Sequence, residues 1–325
     1  MTKRHYFALS ILLSIALFVL FFSYVPLGYE ASQIGYFGLQ IAYSAFFSLT
    51  VTLVAMIGLF TILRRDYITH HFKTLNKFKY LIRLMVKRSF RTRYRGSVLG
   101  VAWSLLNPIL TMLVMTMVFS FVFRFDIANF PVYLLSGQII FSFFSESTSE
   151  AMNAIVGNGS ILKRIYIPKY VFPVTRVISS IVNLGFAIVA FLVVALVTQV
   201  PFHWTILLIP IPILYTFIFC LGVGMLLASM NVFFRDLSYI YGIFITLLNF
   251  LTPIFYPVEI LPDRVFQLIH LNPLFHYVSY FRSLTLDGVI PGLWPNVLCL
   301  GFAVGAFALG LYALMKQEDK YILYL

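Results

Sequence analysis

Long apolar segments dominate the sequence and constrain its fold more than any other feature. About 20 apolar residues cross the hydrocarbon layer of a membrane as a helix. Eight segments of the chain reach that length, at about 7–27, 39–63, 98–123, 132–157, 171–200, 204–229, 237–256 and 293–315. Of the 325 residues, 61% are hydrophobic and 10% are charged, which is too apolar for a single water-soluble core. The sequence therefore predicts an all-α polytopic membrane protein.

The basic residues are distributed unevenly over the connections between these segments. When successive connections are placed on alternate sides of the membrane, 20 of the 23 lysine and arginine residues fall on one side. Only Arg124, Arg264 and Arg282 fall on the other side. Because basic residues near the ends of spans concentrate in the cytoplasm, both termini and residues 64–97 are predicted to be cytoplasmic. This orientation accounts for the formal charge of +12, so nucleic acid is not an expected partner.

A basic amphipathic segment within residues 67–97 precedes the third apolar segment. Its apolar residues recur at helical spacing, and cations occupy the opposite face; the apolar residues are Phe78, Leu81, Ile82, Met85, Val86 and Phe90. Such a helix lies in the membrane interface with its apolar face toward the acyl chains. The cations expected at lipid head groups are Lys87, Arg88, Arg91, Arg93 and Arg95. They either anchor the helix or bind a lipid diphosphate, and the sequence leaves both interpretations open.

Glu146 and Glu150 are acidic residues inside a predicted span. Their i, i+4 spacing puts both carboxylates on one helical face. At 1.5 Å per residue, Glu150 and Arg176 of the next span both lie roughly 10 Å from the cytoplasmic ends of their helices, so their depth allows them to pair. Charges inside a span either form a buried bridge that fixes helix packing or belong to a transport pathway, and both interpretations stay open.

Signature motifs of catalysis are missing from the sequence. It has no GxxxxGK[ST] phosphate-binding loop, no HExxH, no GxSxG and no CxxC. The six histidines are scattered, and both cysteines lie in apolar segments. We therefore expect neither a catalytic site nor a metal site on this chain.

Several separated motifs occur in a fixed order: RYRGSVLGVAWSLLNP at 93–108, SILKRIYIPKYVFP at 160–173, NVFFRD at 231–236, and TPIFYP at 252–257 followed by LNP at 271–273. In this order and spacing, the chain resembles ABC-2 type permeases that export lipid-linked polysaccharides, the O-antigen, capsule and teichoic-acid group. The resemblance covers roughly residues 76–325. Residues 1–66 lie outside it and are interpreted as an accessory pair of spans.

The resemblance implies a six-span permease core at 98–325 in a bacterial cytoplasmic (inner) membrane. It implies a homodimer that works with two copies of a separate cytoplasmic ABC ATPase, which would bind ATP and Mg²⁺. The cargo would be a glycan or teichoic-acid-type polymer on undecaprenyl diphosphate, surrounded by membrane lipids. Transport rather than catalysis is therefore the expected activity of this chain.

Two cytoplasmic connections are candidates for contact with the ATPase. In the resembled family, the first is a coupling helix, and the residues expected at the contact are Ile161, Leu162, Lys163, Arg164, Ile165 and Pro168. The second connection offers Arg235 and Asp236. Each connection is also compatible with an ordinary basic loop on the cytoplasmic side.

Residues 257–292 form the longest outward connection. Pro262 and Pro273 suit first-turn positions of two short helices, which we expect to be amphipathic or re-entrant.

Three other functions remain as alternatives. Export of a smaller lipid or drug by a related ABC permease is an alternative within the class, whereas a membrane glycosyltransferase should carry a large hydrophilic catalytic loop. A secondary transporter should carry broken spans with ion sites.

Overall fold

The computed structural model describes residues 77–96, 98–122, 127, 129–262, 265–266, 269–317 and 321–324. The two spans predicted at 7–27 and 39–63, and the accessory unit at 1–66, lie outside the described residues. Over the described ranges the chain is helical and contains no β-strand, as the all-α prediction requires. The helices are α1 (Lys79–Tyr94), α2 (Ala102–Met117), α3 (Phe130–Met152), α4 (Gly159–Leu162), α5 (Val171–Val197), α6 (Pro210–Phe233), α7 (Leu237–Leu251), α8 (Pro273–Thr285), α9 (Leu293–Lys316) and α10 (Tyr321–Tyr324).

Four helical stretches in the described part are long and apolar enough to cross a membrane. They are Ala102–Ser120, Val171–Val197, Trp204–Phe233 and Leu293–Lys316. Helix α3 has 23 residues and so extends about 34 Å at 1.5 Å per residue, but its serine and glutamate residues lower its hydropathy. Helix α7 has 15 residues and is shorter than the predicted span at 237–256.

A proline explains why α7 ends early. Helix α7 ends at Leu251, and Thr252 has an extended backbone with φ −83° and ψ 126°. Pro253 lacks the N–H that a continuing helix needs and disfavours helical geometry at the residue before it. The apolar run continues to Tyr256 without remaining helical. Apolar length alone therefore overestimates this helix by several residues.

Hydrogen bonds bring the helix ends together in two groups. The side-chain amide of Asn231, near the end of α6, donates to the Met152 carbonyl at the end of α3 over 3.2 Å. The Tyr321 hydroxyl of α10 donates to Ser229 Oγ over 2.7 Å. At the opposite end of the bundle, the Thr205 hydroxyl donates to the Leu284 carbonyl over 2.6 Å. The long helices therefore alternate in direction, as expected from the side assignment.

Helices α6 and α9 approach each other at glycine. A Cβ added to Gly310 would lie 2.0 Å from the carbonyl oxygen of Gly222, and a Cβ added to Gly222 would lie 2.2 Å from the backbone of Ala306. Small residues permit this close approach of two helices in a membrane. A Cβ on Gly305 would meet no atom within 4 Å, so only some of the small residues of α9 are needed for packing.

Helix α8 begins as its sequence predicts. Pro273 occupies its first turn, and the Asn272 side chain accepts a hydrogen bond from the Leu274 N–H over 3.0 Å. Proline lacks an N–H that would be unpaired there, and asparagine satisfies one of the remaining donors. Toward the other predicted short helix, Val265 and Phe266 are helical and donate to the Pro262 carbonyl.

Arg282 fastens α8 to the rest of the bundle. Its side chain is buried, and the guanidinium donates to Ser136 Oγ and to the carbonyls of Tyr133, Pro253 and Ile254. It also lies 3.5 Å from the centre of the Tyr133 ring, a cation–π contact. The positive-inside rule places Arg282 on the outward side and does not predict this burial. Arg282 thus joins α3, α8 and the non-helical segment after α7.

Candidate functional site

An ion-pair network joins α1 to α3. The guanidinium of Arg93 donates to Glu146 and, over 2.5 Å, to Oε1 of Glu150. Both carboxylates point the same way because four residues make about one turn of α3. The predicted shared face of Glu146 and Glu150 is therefore present, and Arg93 occupies it.

Helix α5 contributes the second cation of this network. Arg176 Nη1 lies 3.8 Å from Oε2 of Glu150, so the pairing that their depth allows is present. The same nitrogen donates to Ser89 Oγ of α1 over 3.3 Å. Three helices thus meet at one group of charges.

Neutral side chains extend the network to α2. The Asn183 amide donates to Glu146 Oε1 over 2.5 Å and accepts from the Tyr94 hydroxyl over 3.1 Å. Tyr94 also forms a hydrogen bond with Ser104 of α2. Sequence reasoning missed Asn183 and Tyr94, although a lone asparagine in an apolar span is a signal for a hydrogen-bonded partner.

The charges of the network balance. Arg93 and Arg176 face Glu146 and Glu150, so the formal sum is zero when all four are ionised. Burial lowers the pKa of the Arg93 guanidinium, but the charges of Glu146 and Glu150 outweigh burial and raise it above its ordinary value. Arg93 therefore stays protonated and cannot act as an acid or base at neutral pH. The arrangement can hold helices together or orient a ligand.

A cavity of about 420 Å³ opens beside this network, between α2, α3 and α5. Its polar lining is formed by Arg93, Tyr94, Trp103, Ser104, Asn107, Thr111, Gln138, Ser142, Glu146 and Asn183, and its apolar lining by Pro108, Leu135, Ile139, Phe143, Leu184 and Ala187. Its volume falls within the range of small-molecule sites. The sequence did not predict this cavity, because its lining comes from separate helices.

The apolar face of α1 packs on protein. Phe78, Leu81, Ile82 and Met85 contact a buried cluster that includes residues of the connection between α3 and α5. The prediction that these side chains face the acyl chains is therefore wrong. An amphipathic pattern specifies an apolar neighbour, and either lipid or a protein core satisfies it.

The predicted head-group cations divide into two groups. Arg93 forms ion pairs with two carboxylates, so its charge is not available to lipid head groups. The four remaining cations are exposed on α1 and at its C-terminal end, and none forms an ion pair within the described residues: Lys87, Arg88, Arg91 and Arg95.

The first predicted coupling connection presents one face outward and one face inward. Ile165 and Tyr166 are 60% and 77% exposed, whereas Leu162 is 6% exposed. Lys163, Arg164 and Ile161 are also exposed, and Pro168 is buried. The prediction that Leu162 and Pro168 contact a partner is therefore wrong, because both pack within the chain. Tyr166 was not among the predicted contact residues. Its ring lies 5.2 Å from Lys169 Nζ.

The second predicted connection lies at the same end of the bundle. Arg235 and Asp236 are exposed in the turn between α6 and α7. Asn231, just before this turn, donates to Oδ1 of Asn153, just before the first connection. Both connections are therefore available on one surface.

A bundle of helices that alternate in direction, with four in the described ranges long and apolar enough to cross a membrane, defines a multi-pass membrane protein. Its residues 80–286 match the model of a known family, described as ABC-2 type transporter. This match extends over more than half of the chain and includes the polar network, the cavity and both connections. The chain belongs to the ABC-2 type transporter family.

Individual relatives cover most of the chain. It is 30% identical over 225 residues to the O-antigen export system permease protein RfbA of Myxococcus xanthus, a match that covers 69% of this chain and 86% of that protein. A Klebsiella pneumoniae protein of the same name is 28% identical over 75% of this chain and 95% of its own length. The polysialic acid transport protein KpsM of Escherichia coli is 25% identical over 74% of this chain and 95% of its own length.

Proposed function

We propose that this chain is the permease subunit of an ABC exporter that moves a lipid-linked polysaccharide, or a teichoic-acid-type polymer, outward across a bacterial cytoplasmic membrane. The observation that carries the proposal is the packing of α1 on the connection between α3 and α5. One structural unit thus holds both a group of exposed cations and an exposed surface for a partner. The names of the relatives, which include O-antigen export and polysialic acid transport, support a polysaccharide cargo.

The cargo carrier is undecaprenyl diphosphate in this proposal. Arginine binds phosphate oxygens through paired N–H groups, and lysine binds them as a point charge. Arg91 and Arg95 are exposed near the end of α1, just before the chain enters α2. A diphosphate at the inner leaflet would meet these cations before its glycan enters the membrane.

Energy comes from a separate ABC ATPase, two copies of which bind ATP and Mg²⁺ at the cytoplasmic surface. Ile165 and Tyr166 supply the exposed apolar and aromatic groups that dominate such contacts. Lys163 and Arg164 supply a polar rim, and Arg235 and Asp236 lie on the same surface. A second copy of this chain completes the pathway, and both termini face the cytoplasm.

Copurification tests this proposal. The full-length chain would be tagged and isolated with its untagged ATPase, and ATP hydrolysis would be measured with and without an undecaprenyl-diphosphate-linked glycan. We expect an ATPase subunit in about equal amount and hydrolysis that rises with the glycan lipid. Absence of an ATPase subunit would overturn the proposal. Equal stimulation by a simple phospholipid would instead indicate an exporter of smaller lipids.

A further inference from the structure

We propose that the cavity between α2, α3 and α5 binds the saccharide next to the diphosphate of the cargo. This inference rests on the proposed function and deepens it, because it assigns the glycan and the phosphates to different residues. The cavity, of about 420 Å³, accommodates a short saccharide and not a polymer. Recognition would therefore concern the end of the chain that is attached to the lipid.

The charge balance excludes the cavity as the phosphate site. Arg93 lines the cavity, but its guanidinium already donates to Glu146 and Glu150. Glu146 also lines the cavity, and a carboxylate repels a diphosphate. The lining as a whole is therefore suited to a neutral ligand, and the diphosphate is left to the exposed cations at the end of α1.

Unused hydrogen-bonding groups favour a ligand rich in hydroxyls. Asn107 and Thr111 line the cavity and make no side-chain hydrogen bond within the described residues. The Gln138 amide donates to Ser142 over 2.9 Å, which leaves its carbonyl oxygen available. Side-chain amides both donate and accept, as neighbouring sugar hydroxyls require. Polar groups at membrane depth are costly without such a partner or water.

An aromatic side chain supplies the other element of saccharide recognition. Trp103 lines the cavity and is 46% exposed. The face of an indole ring packs on the apolar C–H face of a sugar, while its N–H remains a hydrogen-bond donor. A phospholipid tail could pack on the indole ring but could not form hydrogen bonds with the side-chain amides. The combination of Trp103 with Asn107 and Gln138 therefore favours a saccharide over an acyl chain.

The position of the cavity agrees with a cargo that spans both sites. Arg93 and Tyr94 line the cavity at the end of α1. Arg95 follows directly after the helix, whereas Arg91, two residues before Arg93, projects from another side of it. A saccharide in the cavity and its diphosphate at these cations would thus be held by one helix end. The carrier lipid can remain in the membrane during this binding.

Tryptophan fluorescence gives a direct test. The chain contains three tryptophans, and the double variant Trp204→Phe/Trp294→Phe leaves Trp103 as the single reporter. The purified full-length chain in lipid nanodiscs would be titrated with undecaprenyl diphosphate carrying N-acetylglucosamine, and in parallel with undecaprenyl diphosphate alone. We expect the sugar-bearing carrier to change the Trp103 emission and to bind more tightly. Equal emission changes and equal affinities would overturn the inference.

Substitutions separate the two parts of the proposed site. Asn107→Leu removes the amide at similar size. It should weaken the binding of the sugar-bearing carrier about tenfold and leave the binding of the bare carrier unchanged. The double variant Arg91→Gln/Arg95→Gln should weaken the binding of both carriers. Thr111→Val provides a second cavity variant in case Asn107→Leu does not fold, and Asn107→Gln should retain most binding.

The same titration distinguishes this inference from the proposed function. If both carriers bind equally and Asn107→Leu changes neither, the cavity is not a saccharide site, whereas the exporter proposal stands. If neither carrier binds, both proposals fail. An identical Trp103 response to phosphatidylglycerol alone would assign the cavity to membrane lipid and overturn the inference.

Discussion

The side-chain amide of Asn183 donates a hydrogen bond to the carboxylate of Glu146 over 2.5 Å. Asn183 belongs to α5 and Glu146 to α3, which are the two helices that flank the first predicted coupling connection. A movement of that connection that shifts α3 relative to α5 would therefore break this contact. The contact thus joins α3 to α5, and the ion pairs of Arg93 join α1 to α3.

The first prediction concerns Arg93 and Glu146. We expect the double variant Arg93→Gln/Glu146→Gln to lose less stability than the two single changes together, because each single change leaves a charge without its partner. The groups are partly exposed, so the coupling free energy should be modest, about 1 kcal/mol. Thermal unfolding of the four proteins in detergent measures it. Strict additivity would contradict a direct interaction.

The second prediction concerns the contact between α6 and α9. Gly310→Ala should lower the unfolding temperature, because its Cβ would lie 2.0 Å from the Gly222 carbonyl oxygen and the helices must separate. Overpacking of this kind costs about 1–3 kcal/mol. Gly305→Ala is the matched control on the same helix, since its Cβ has open space. Equal unfolding temperatures for the two variants would refute the packing argument.

The third prediction separates the two faces of the first connection. Ile165→Asp should uncouple ATP hydrolysis from export and leave the chain folded, because Ile165 is exposed and one central anchor can contribute on the order of 2 kcal/mol to an interface. Leu162→Asp should reduce folding itself, because it would bury a charge. Lys163→Ala, at the rim, should change little.

Coupled ATPase activity, export and the amount of folded protein would be measured for all three variants. Normal coupling in Ile165→Asp with the ATPase still bound would exclude this connection and direct attention to Arg235 and Asp236.

The fourth prediction concerns Arg282. Arg282→Lys should destabilise the protein by about 2 kcal/mol, because an ammonium group cannot reproduce a planar set of hydrogen bonds to Ser136 and the carbonyls of Pro253 and Ile254. Gly137→Ala should act in the same direction, since its Cβ would lie 2.9 Å from the guanidinium. Thermal unfolding measures both effects, and unchanged stability in Arg282→Lys would show that these bonds are dispensable.

The fifth prediction concerns orientation. A cysteine at Asp287 should react with a membrane-impermeant thiol reagent added outside, whereas a cysteine at Lys77 should react only after the membrane is opened. Both positions are exposed. The native residues Cys220 and Cys299 are buried, so they should give no background. Labelling of Lys77→Cys from outside would show that the predicted orientation is wrong.

The long apolar helices could be predicted from the sequence because hydropathy and length depend on consecutive residues. The end of α7 could also have been predicted, since Pro253 acts on its immediate neighbours. The burial of Leu162 and Arg282 could not be predicted, because it depends on which distant helix lies nearby. A short apolar side chain gives the same sequence pattern whether it contacts a partner subunit or the core of its own chain.

The polar site was predictable only in part. Glu146, Glu150 and Arg176 attracted notice because charges are rare inside spans. Arg93 was predicted only as one of five head-group cations and not as the partner of Glu146 and Glu150, because a single charge within a basic segment carries little information. The cavity required three-dimensional placement of α2, α3 and α5, which no pattern along the sequence specifies.

The glycine contact between α6 and α9 limits how this bundle can open. With a carbonyl oxygen of one helix seated at the Gly310 Cα of the other, the two helices cannot slide past each other unless they first move apart. Any gate must therefore lie elsewhere. Helix α2 is the least buried of the four candidate spans and forms one wall of the cavity, so fewer contacts within the chain hold this wall than hold α6 and α9.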